Sequence, residues 1–141
     1  MILPDANTLL YAVNTASPQH RSALEALEEA YRGPRGVGFA WVSLLAFLRL
    51  STRRGMFEKP LSTRDSLRVV QNWLAQPEAQ VIHPGELHCD ILEGLLKEAG
   101  TAENLTTDAH IAALAIEHGA TVLTYDRDFA RFQGLRWATP A

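Results

Sequence analysis

Three aspartates stand where a parallel α/β protein builds its active site. Asp5 directly follows a short apolar segment, Ile2–Pro4, and Asp126 directly follows the apolar run ATVLTY. Asp108 lies in the first turn of a predicted helix, where free N–H groups and the helix dipole favour a carboxylate. Because ligands bind beyond the carboxyl ends of the strands in open parallel sheets, we expect these carboxylates to face one crevice.

Several carboxylates in one crevice repel each other, which raises their pKa values unless a cation neutralises them. Oxygen ligands without a cysteine or histidine cluster select Mg²⁺ or Mn²⁺ over Zn²⁺. Such an ion keeps several waters, binds phosphate oxygens, and can activate a water for attack on phosphorus. The acidic residues therefore predict metal-assisted phosphodiester hydrolysis, without distinguishing DNA from RNA.

Each aspartate alone also has a purely structural interpretation. Asp108 could simply begin a helix, and Asp126 and Asp128 could form the turn YDRD. Asp5 lies between apolar segments, where an ionised carboxylate is costly unless it is paired or bound to a metal. The coincidence of three acids at one predicted sheet edge favours a site.

Three further polar residues lie beside these acids. Asn7 and Thr8 follow Asp5, and they could hydrogen-bond a carboxylate or a metal-bound water, or else begin a helix. His110 lies two residues after Asp108, which places it roughly 200° around a helix and off the ligand face. We therefore consider Asn7 and Thr8, and not His110, as auxiliary residues of the site.

Short apolar runs alternate with helix-period segments along the chain, as in βαβ units. The predicted strands are Ile2–Pro4, Val37–Phe39, Ala79–His83, Ala120–Thr124 and Leu135–Ala138. The predicted helices are Pro18–Tyr31, Trp41–Arg53, Ser62–Ala75, Pro84–Ala99 and Asp108–His118. Ser62 caps the third helix, and Gly100 and Gly119 end the last two. We predict one α/β domain over residues 1–141, with a central, mostly parallel sheet and helices on both faces.

The composition is that of a globular chain. Hydrophobic residues make up 47% of the 141 residues and charged residues 21%, values far from those of a disordered protein. The single cysteine, Cys89, excludes an intramolecular disulfide; we expect a small buried side chain in a reducing cytoplasm. No apolar run reaches the roughly 18 residues of a membrane span, and there is no basic leader, so we expect a cytoplasmic protein.

The basic residues are unevenly distributed. The net charge is −3, so a nucleic-acid partner would need a local basic patch. Such a patch is predicted from Arg49, Arg53, Arg54, Lys59, Arg64 and Arg68. These residues could track RNA phosphates, or they could form a solvated helix face that pairs with nearby acids.

Aromatic and histidine side chains point less clearly to function. We interpret Trp41, Phe47 and Trp73 as core or dimer contacts rather than as base-stacking platforms. The other histidines lack ligand spacing, and we expect surface or boundary positions for His20, His83, His88 and His118.

The sequence resembles PIN-domain ribonucleases of the VapC type, the toxin half of a bacterial type II toxin–antitoxin pair. The matching segments are DANTLLYA, which contains Asp5, then TDAHIAALAIEHGATVLTYDRDF, and the terminal FQGLRW. The segment WVSLLAFLRLSTRRGMFEKPLS resembles the branch of the family abundant in mycobacteria. The resemblance extends over nearly the whole chain and is most specific from Asp108 to Phe129.

This resemblance implies a PIN-like three-layer α/β/α fold and an endoribonuclease that depends on Mg²⁺ or Mn²⁺. Asp5 and Asp108 would be metal ligands, Asp126 a third catalytic acid that orients the metal or its water, and Asp128 a flanking residue. It also implies a homodimer, an RNA substrate such as tRNA or another structured RNA, and inhibition by a VapB-type antitoxin whose C-terminal segment reaches the acidic pocket.

One position departs from the family pattern. Many PIN nucleases have a glutamate where this chain has Ala46, and alanine cannot bind a metal. The alternative function is therefore a catalytically weakened PIN-like module that binds antitoxin or RNA without cleavage. A phosphatase with an aspartyl nucleophile would also place an acid after the first strand, but it needs a second aspartate where this chain has Asn7.

Overall fold

The computed structural model describes residues 1–100 and 102–141, and its centre is a five-stranded sheet. The strands are β1 (Ile2–Pro4), β2 (Val37–Phe39), β3 (Ala79–Val81), β4 (Thr121–Leu123) and β5 (Trp137–Ala138). Their order across the sheet is β3-β2-β1-β4-β5, and every pair of neighbours is parallel. Strands from both ends of the chain therefore meet in one sheet, with their carboxyl ends at one edge.

Six α-helices connect and cover the strands in the described part of the chain. They are α1 (Ala6–Val13), α2 (His20–Arg32), α3 (Trp41–Ser51), α4 (Thr63–Ala75), α5 (His88–Ala99) and α6 (Thr106–His118). There are also two 3₁₀ turns, Glu103–Leu105 between α5 and α6, and Arg127–Arg131 between β4 and β5. No helix among the described residues is long and apolar enough to cross a membrane.

The helices form a layer on each face of the sheet. Side chains of α1 to α4 pack with Val37 and Phe39 in one buried cluster, whereas α5 and α6 pack with Leu3 and Val122 in another. On β1, Leu3 is fully buried in the second cluster, whereas Ile2 packs against the first, because successive strand side chains point to opposite faces of the sheet. The predicted α/β/α fold is confirmed, and the sheet is uniformly parallel.

Local sequence signals set the helix ends. The Ser62 hydroxyl accepts a hydrogen bond from the Asp65 N–H at 3.0 Å, which caps α4 as predicted. Gly119 ends α6 at a φ of 64°, a left-handed conformation that residues with a Cβ avoid. Gly100 ends α5 in the same way.

Some predicted boundaries are wrong. The helix predicted from Pro84 begins only at His88, and the Gly85 N–H before it donates to the Glu117 carboxylate at 3.0 Å. The helix predicted to reach Arg53 ends at Ser51.

One of the predicted burial states is also wrong. Cys89 is exposed, because it lies on the outer face of α5. Phe47 and Trp73 pack in the core with ring centroids 4.8 Å apart, as expected. Trp41 is 45% exposed and belongs to neither buried cluster, so of the two predicted roles, core or dimer contact, only the dimer contact stays a prediction.

Candidate active site

The central strands deliver two of the predicted acids to one edge of the sheet. Pro4 on β1 pairs with Leu123 on β4, and the N–H of Asp5 donates to the Leu123 carbonyl at 3.0 Å. Asp126 follows three residues after Leu123. The register of β1 and β4 therefore places the backbone of both aspartates beyond the carboxyl ends of neighbouring strands.

Asp5 is a buried carboxylate held by three hydrogen bonds. It accepts from the Ala6 N–H at 2.8 Å, the Thr124 hydroxyl at 3.1 Å and the Asn7 amide at 3.3 Å. An ionised carboxylate has about four acceptor positions. Asp5 is thus fixed in orientation and retains acceptor capacity for one more ligand.

Thr124 is the polar residue that the sequence reading missed. Its fully buried hydroxyl donates to Asp5 and accepts from the N–H of Asp126 at 3.0 Å and the amide of Asn7 at 3.2 Å. It joins the segments after β1 and β4. The sequence feature that could have indicated this role is the position of Thr124, at the end of a buried apolar run and two residues before Asp126.

Asn7 and Thr8 have different roles. Asn7 donates to Asp5 and accepts from the Tyr125 N–H at 3.1 Å, so it contacts the acidic site. Thr8 is fully buried and donates to the Leu123 carbonyl at 2.8 Å, which fixes α1 against β4. Both residues lie in the first turn of α1, which confirms the alternative that they begin a helix.

Asp108 is half-buried in the first turn of α6. Burial, followed by the negative charges of Asp5, Asp126 and Asp128, raises the pKa of Asp108 to about 6. Burial also raises the pKa of Asp5, although the hydrogen bonds from Ala6 and Thr124 oppose this effect. Asp5, Asp126 and Asp128 therefore lie within electrostatic reach of Asp108.

Asp126 and Asp128 also have the turn role that was considered for them. The Asp126 carboxylate accepts from the Asp128 N–H at 2.9 Å and caps the 3₁₀ turn Arg127–Arg131. Asp128 is exposed, with a carboxylate oxygen 3.9 Å from Arg131.

The acidic residues suit a hard cation without forming a closed cage. Over residues 1–100 and 102–141, no group of three or more histidine, cysteine, aspartate or glutamate side chains is close enough to hold a metal ion. Mg²⁺ commonly binds through only one or two carboxylates and completes its shell with water and phosphate oxygens. Mutually repelling carboxylates with raised pKa values are the donor set that such an ion would stabilise.

A separate polar cluster connects α5 to α6. His88 Nδ1 lies 2.7 Å from Glu117, and His88 Nε2 lies 2.9 Å from Nδ1 of His110. His88 is 9% exposed, so the expected surface position is wrong for this histidine. The polar contacts that allow its burial come from residues 22 and 29 positions away, which spacing alone does not reveal.

Comparison with known proteins identifies the family. The PIN domain model matches residues 2–135. The chain belongs to the PIN-domain family. It is 50% identical to ribonuclease VapC37 of Mycobacterium tuberculosis over 99% of this chain and 97% of that protein. It is 43% identical to ribonuclease VapC33 of the same organism, over 99% of this chain and 98% of the relative.

Solved structures share the fold of this PIN domain. The VapBC2 complex of Rickettsia felis, bound to a promoter DNA fragment, aligns with a TM-score of 0.70 at 19% identity, over 99% of this chain and 98% of that one. VapC20 of Mycobacterium tuberculosis, described as a sarcin–ricin loop cleaving toxin, aligns with a TM-score of 0.68 at 21% identity, over 96% and 99%. The predicted family resemblance is confirmed.

Six of the thirteen lysines and arginines of this PIN domain lie on α3, α4 and the loop between them. We call this set the basic arm: Arg49, Arg53, Arg54, Lys59, Arg64 and Arg68. A 2.6 Å hydrogen bond between the buried hydroxyls of Ser51 and Ser66 joins the two helices. All six side chains are exposed, and within the described residues none lies within 4.0 Å of a carboxylate oxygen. Pairing with nearby acids therefore does not account for their charge.

Ala46 is half-buried on α3, one turn after Ser43. The buried Ser43 hydroxyl has no hydrogen-bond partner among the residues that the structure describes. This part of α3 thus supplies no carboxylate at the position where the family pattern has one.

Proposed function

We propose that this PIN domain is an endoribonuclease dependent on Mg²⁺ or Mn²⁺, and that it acts as the toxin of a VapBC-type pair. The observation that carries the proposal is the group of three carboxylates near Asp108, which help to raise its pKa to about 6 and include the hydrogen-bonded Asp5. The named relatives with 50% and 43% identity are ribonucleases, which supports the same activity.

Asp5 and Asp108 would hold the cation, with Asp126 as the third acid and Asp128 at the flank. A bound divalent ion would supply charge neutralisation at a phosphate and lower the pKa of a water. Thr124 and Asn7 orient the Asp5 carboxylate through hydrogen bonds, and Thr124 also fixes the backbone of Asp126.

The basic arm would bind the RNA backbone. Its exposed cations have no acidic partner in the described part of the chain, so phosphates can approach them. Because the protein has a net charge of −3, this local patch provides attraction that the whole molecule does not.

A VapB-type antitoxin is the proposed partner, and a homodimer is the proposed assembly. Structures with the same fold are VapBC complexes from Rickettsia felis, Salmonella typhimurium and Haemophilus influenzae, which supports an antitoxin. We further propose an RNA substrate such as tRNA or another structured RNA, and a cytoplasmic location for its cleavage. Co-expression with the neighbouring reading frame should relieve growth arrest if that frame encodes the antitoxin.

Cleavage of total RNA tests the activity directly. Antitoxin-free protein with Mn²⁺ should produce specific fragments, and chelation should abolish them. Asp5→Asn and Asp108→Asn should each remove cleavage while preserving the circular dichroism spectrum. Asp90→Asn is the matched control, because Asp90 is the exposed third residue of α5, as Asp108 is the third residue of α6. Undiminished cleavage by either site variant would contradict the assignment.

The second candidate function is a module that binds antitoxin or RNA without cleavage. Ala46 favours it, because the expected glutamate is missing. The same assay separates the two candidates. Specific fragments from the metal-loaded wild type exclude the binding module, whereas retention of RNA without fragments supports it.

A further inference from the structure

The exposed residues at the start of α3 have no role in the two buried clusters. Trp41 is the first residue of α3 and is 45% exposed, and Leu45, one turn later, is 55% exposed. Neither residue belongs to the buried clusters. A tryptophan and a leucine exposed together on one side of a helix form an apolar surface of the kind that marks a contact site.

This apolar surface lies next to the candidate active site. The strand β2 leads into α3 through Ala40 alone, and β2 pairs with β1 in the register Ile2 to Val37. Continuing that register places Ala40 beside Asp5, on strands about 5 Å apart. Trp41 therefore begins a helix at the same sheet edge as the acids, beside the buried Asp5.

The same side of α3 leads into the basic arm. Trp41, Leu45 and Arg49 follow one another at intervals of four residues, and all three are exposed. With a rise of 1.5 Å per residue, Arg49 lies about 12 Å along the helix from Trp41. The surface thus changes from apolar at Trp41 and Leu45 to cationic at Arg49 along α3.

We propose that Trp41 stacks on an unpaired RNA base next to the phosphate that a divalent ion at Asp5 would bind, with Arg49 contacting the backbone further along the strand; the stacking and the Arg49 contact do not require the ion. This inference rests on the ribonuclease function proposed above. Every nucleobase has a π-face, so stacking on tryptophan binds single-stranded RNA with little sequence preference. The arginines beyond Trp41 favour a phosphate-bearing ligand over an apolar protein surface, because a protein partner would have to supply acids for them.

Intrinsic tryptophan fluorescence tests the stacking. A ten-nucleotide single-stranded RNA of mixed sequence, added in the presence of EDTA to prevent cleavage, should quench the wild-type emission. Inorganic polyphosphate should bind the arginines without this quenching. Trp41→Phe should lose most of the quenching and keep most of the affinity, and Trp41→Ala should weaken RNA binding roughly 5- to 150-fold. Trp137→Phe, on the outer strand β5, is the control and should keep both.

Three results would overturn the inference. Equal quenching in wild type and Trp41→Phe would show that no base contacts this ring. Unchanged RNA affinity in Trp41→Ala, together with an altered sedimentation coefficient of the free protein, would assign the surface to a protein contact. If either occurs while wild-type RNA cleavage persists, the proposed function stands without the stacking role. If the wild type neither binds nor cleaves RNA, the proposed function and the inference fail together.

Discussion

Replacing Asp108 with asparagine should stabilise the metal-free protein at neutral pH. Its pKa is raised from 3.8 to about 6, mainly by burial and then by the charges of Asp5, Asp126 and Asp128. A pKa raised by folding means that the folded state binds this proton more tightly than the unfolded state. The favourable contribution is present below pH 3.8 and is lost as the pH rises through about 6. At pH 7.5 the ionised carboxylate therefore opposes folding, and asparagine removes that charge.

The expected gain follows from the size of the shift. A shift of about two pKa units corresponds to about 3 kcal/mol between the protonation states. Asp108 is only half-buried, so solvent screens part of this energy, and we expect about 1 to 1.5 kcal/mol. For a chain of this size, that gain should raise Tm by about 3 to 6 °C.

Thermal unfolding in EDTA at pH 7.5 and pH 4 measures the effect. The gain from Asp108→Asn should be full at pH 7.5 and near zero at pH 4, where the aspartate is largely protonated. The control Asp90→Asn should stay within about 0.5 kcal/mol at both values, because Asp90 is exposed. Mn²⁺ at 100 times its Kd should stabilise the wild type by about 2.7 kcal/mol. The wild type should then be more stable than Asp108→Asn, the reverse of the order in EDTA. A loss of stability in EDTA, or an equal gain at both pH values, would refute the electrostatic reasoning.

Other substitutions test the contacts around the site and the fold. Thr124→Val should lower the free energy of unfolding by about 1 to 3 kcal/mol and raise the pKa of Asp5, measured by NMR titration, because a buried hydrogen bond is lost. Unchanged values would show that this contact is unimportant. Arg53→Gln combined with Arg64→Gln should reduce the slope of log affinity for single-stranded RNA against log salt by about 1.4, and an unchanged slope would exclude both from the RNA interface. Phe47→Ala should cost about 3 to 5 kcal/mol in chemical denaturation, since this ring is fully buried.

Sequence patterns were sufficient where the determinant is local. Apolar runs and glycine stops located the strands and the ends of the last two helices. The position of Asp5 and Asp126 at one sheet edge could be predicted because the carboxyl ends of parallel strands must meet there. The buried contact of Thr124 with Asp5 spans 119 residues, so no local pattern indicates it. His88 was misjudged for the same reason, because Glu117 lies 29 residues away.

For Trp41 the sequence left two roles open, a core contact and a dimer contact, for a different physical reason. Tryptophan is mostly buried in folded proteins, and the helix pattern around Trp41 is apolar on nearly every side, so the sequence does not show which side is exposed. Only the packing of α3 against α1 and the sheet decides which side stays uncovered.

The central claim is that carboxylates distant in sequence hold one divalent ion at the sheet edge. Anomalous diffraction from crystals soaked in Mn²⁺ tests it most directly. We expect one strong manganese peak within about 2.5 Å of a carboxylate oxygen of both Asp5 and Asp108, and its absence in crystals of Asp108→Asn. A wild-type crystal with no peak between these two side chains, at saturating Mn²⁺, would contradict it.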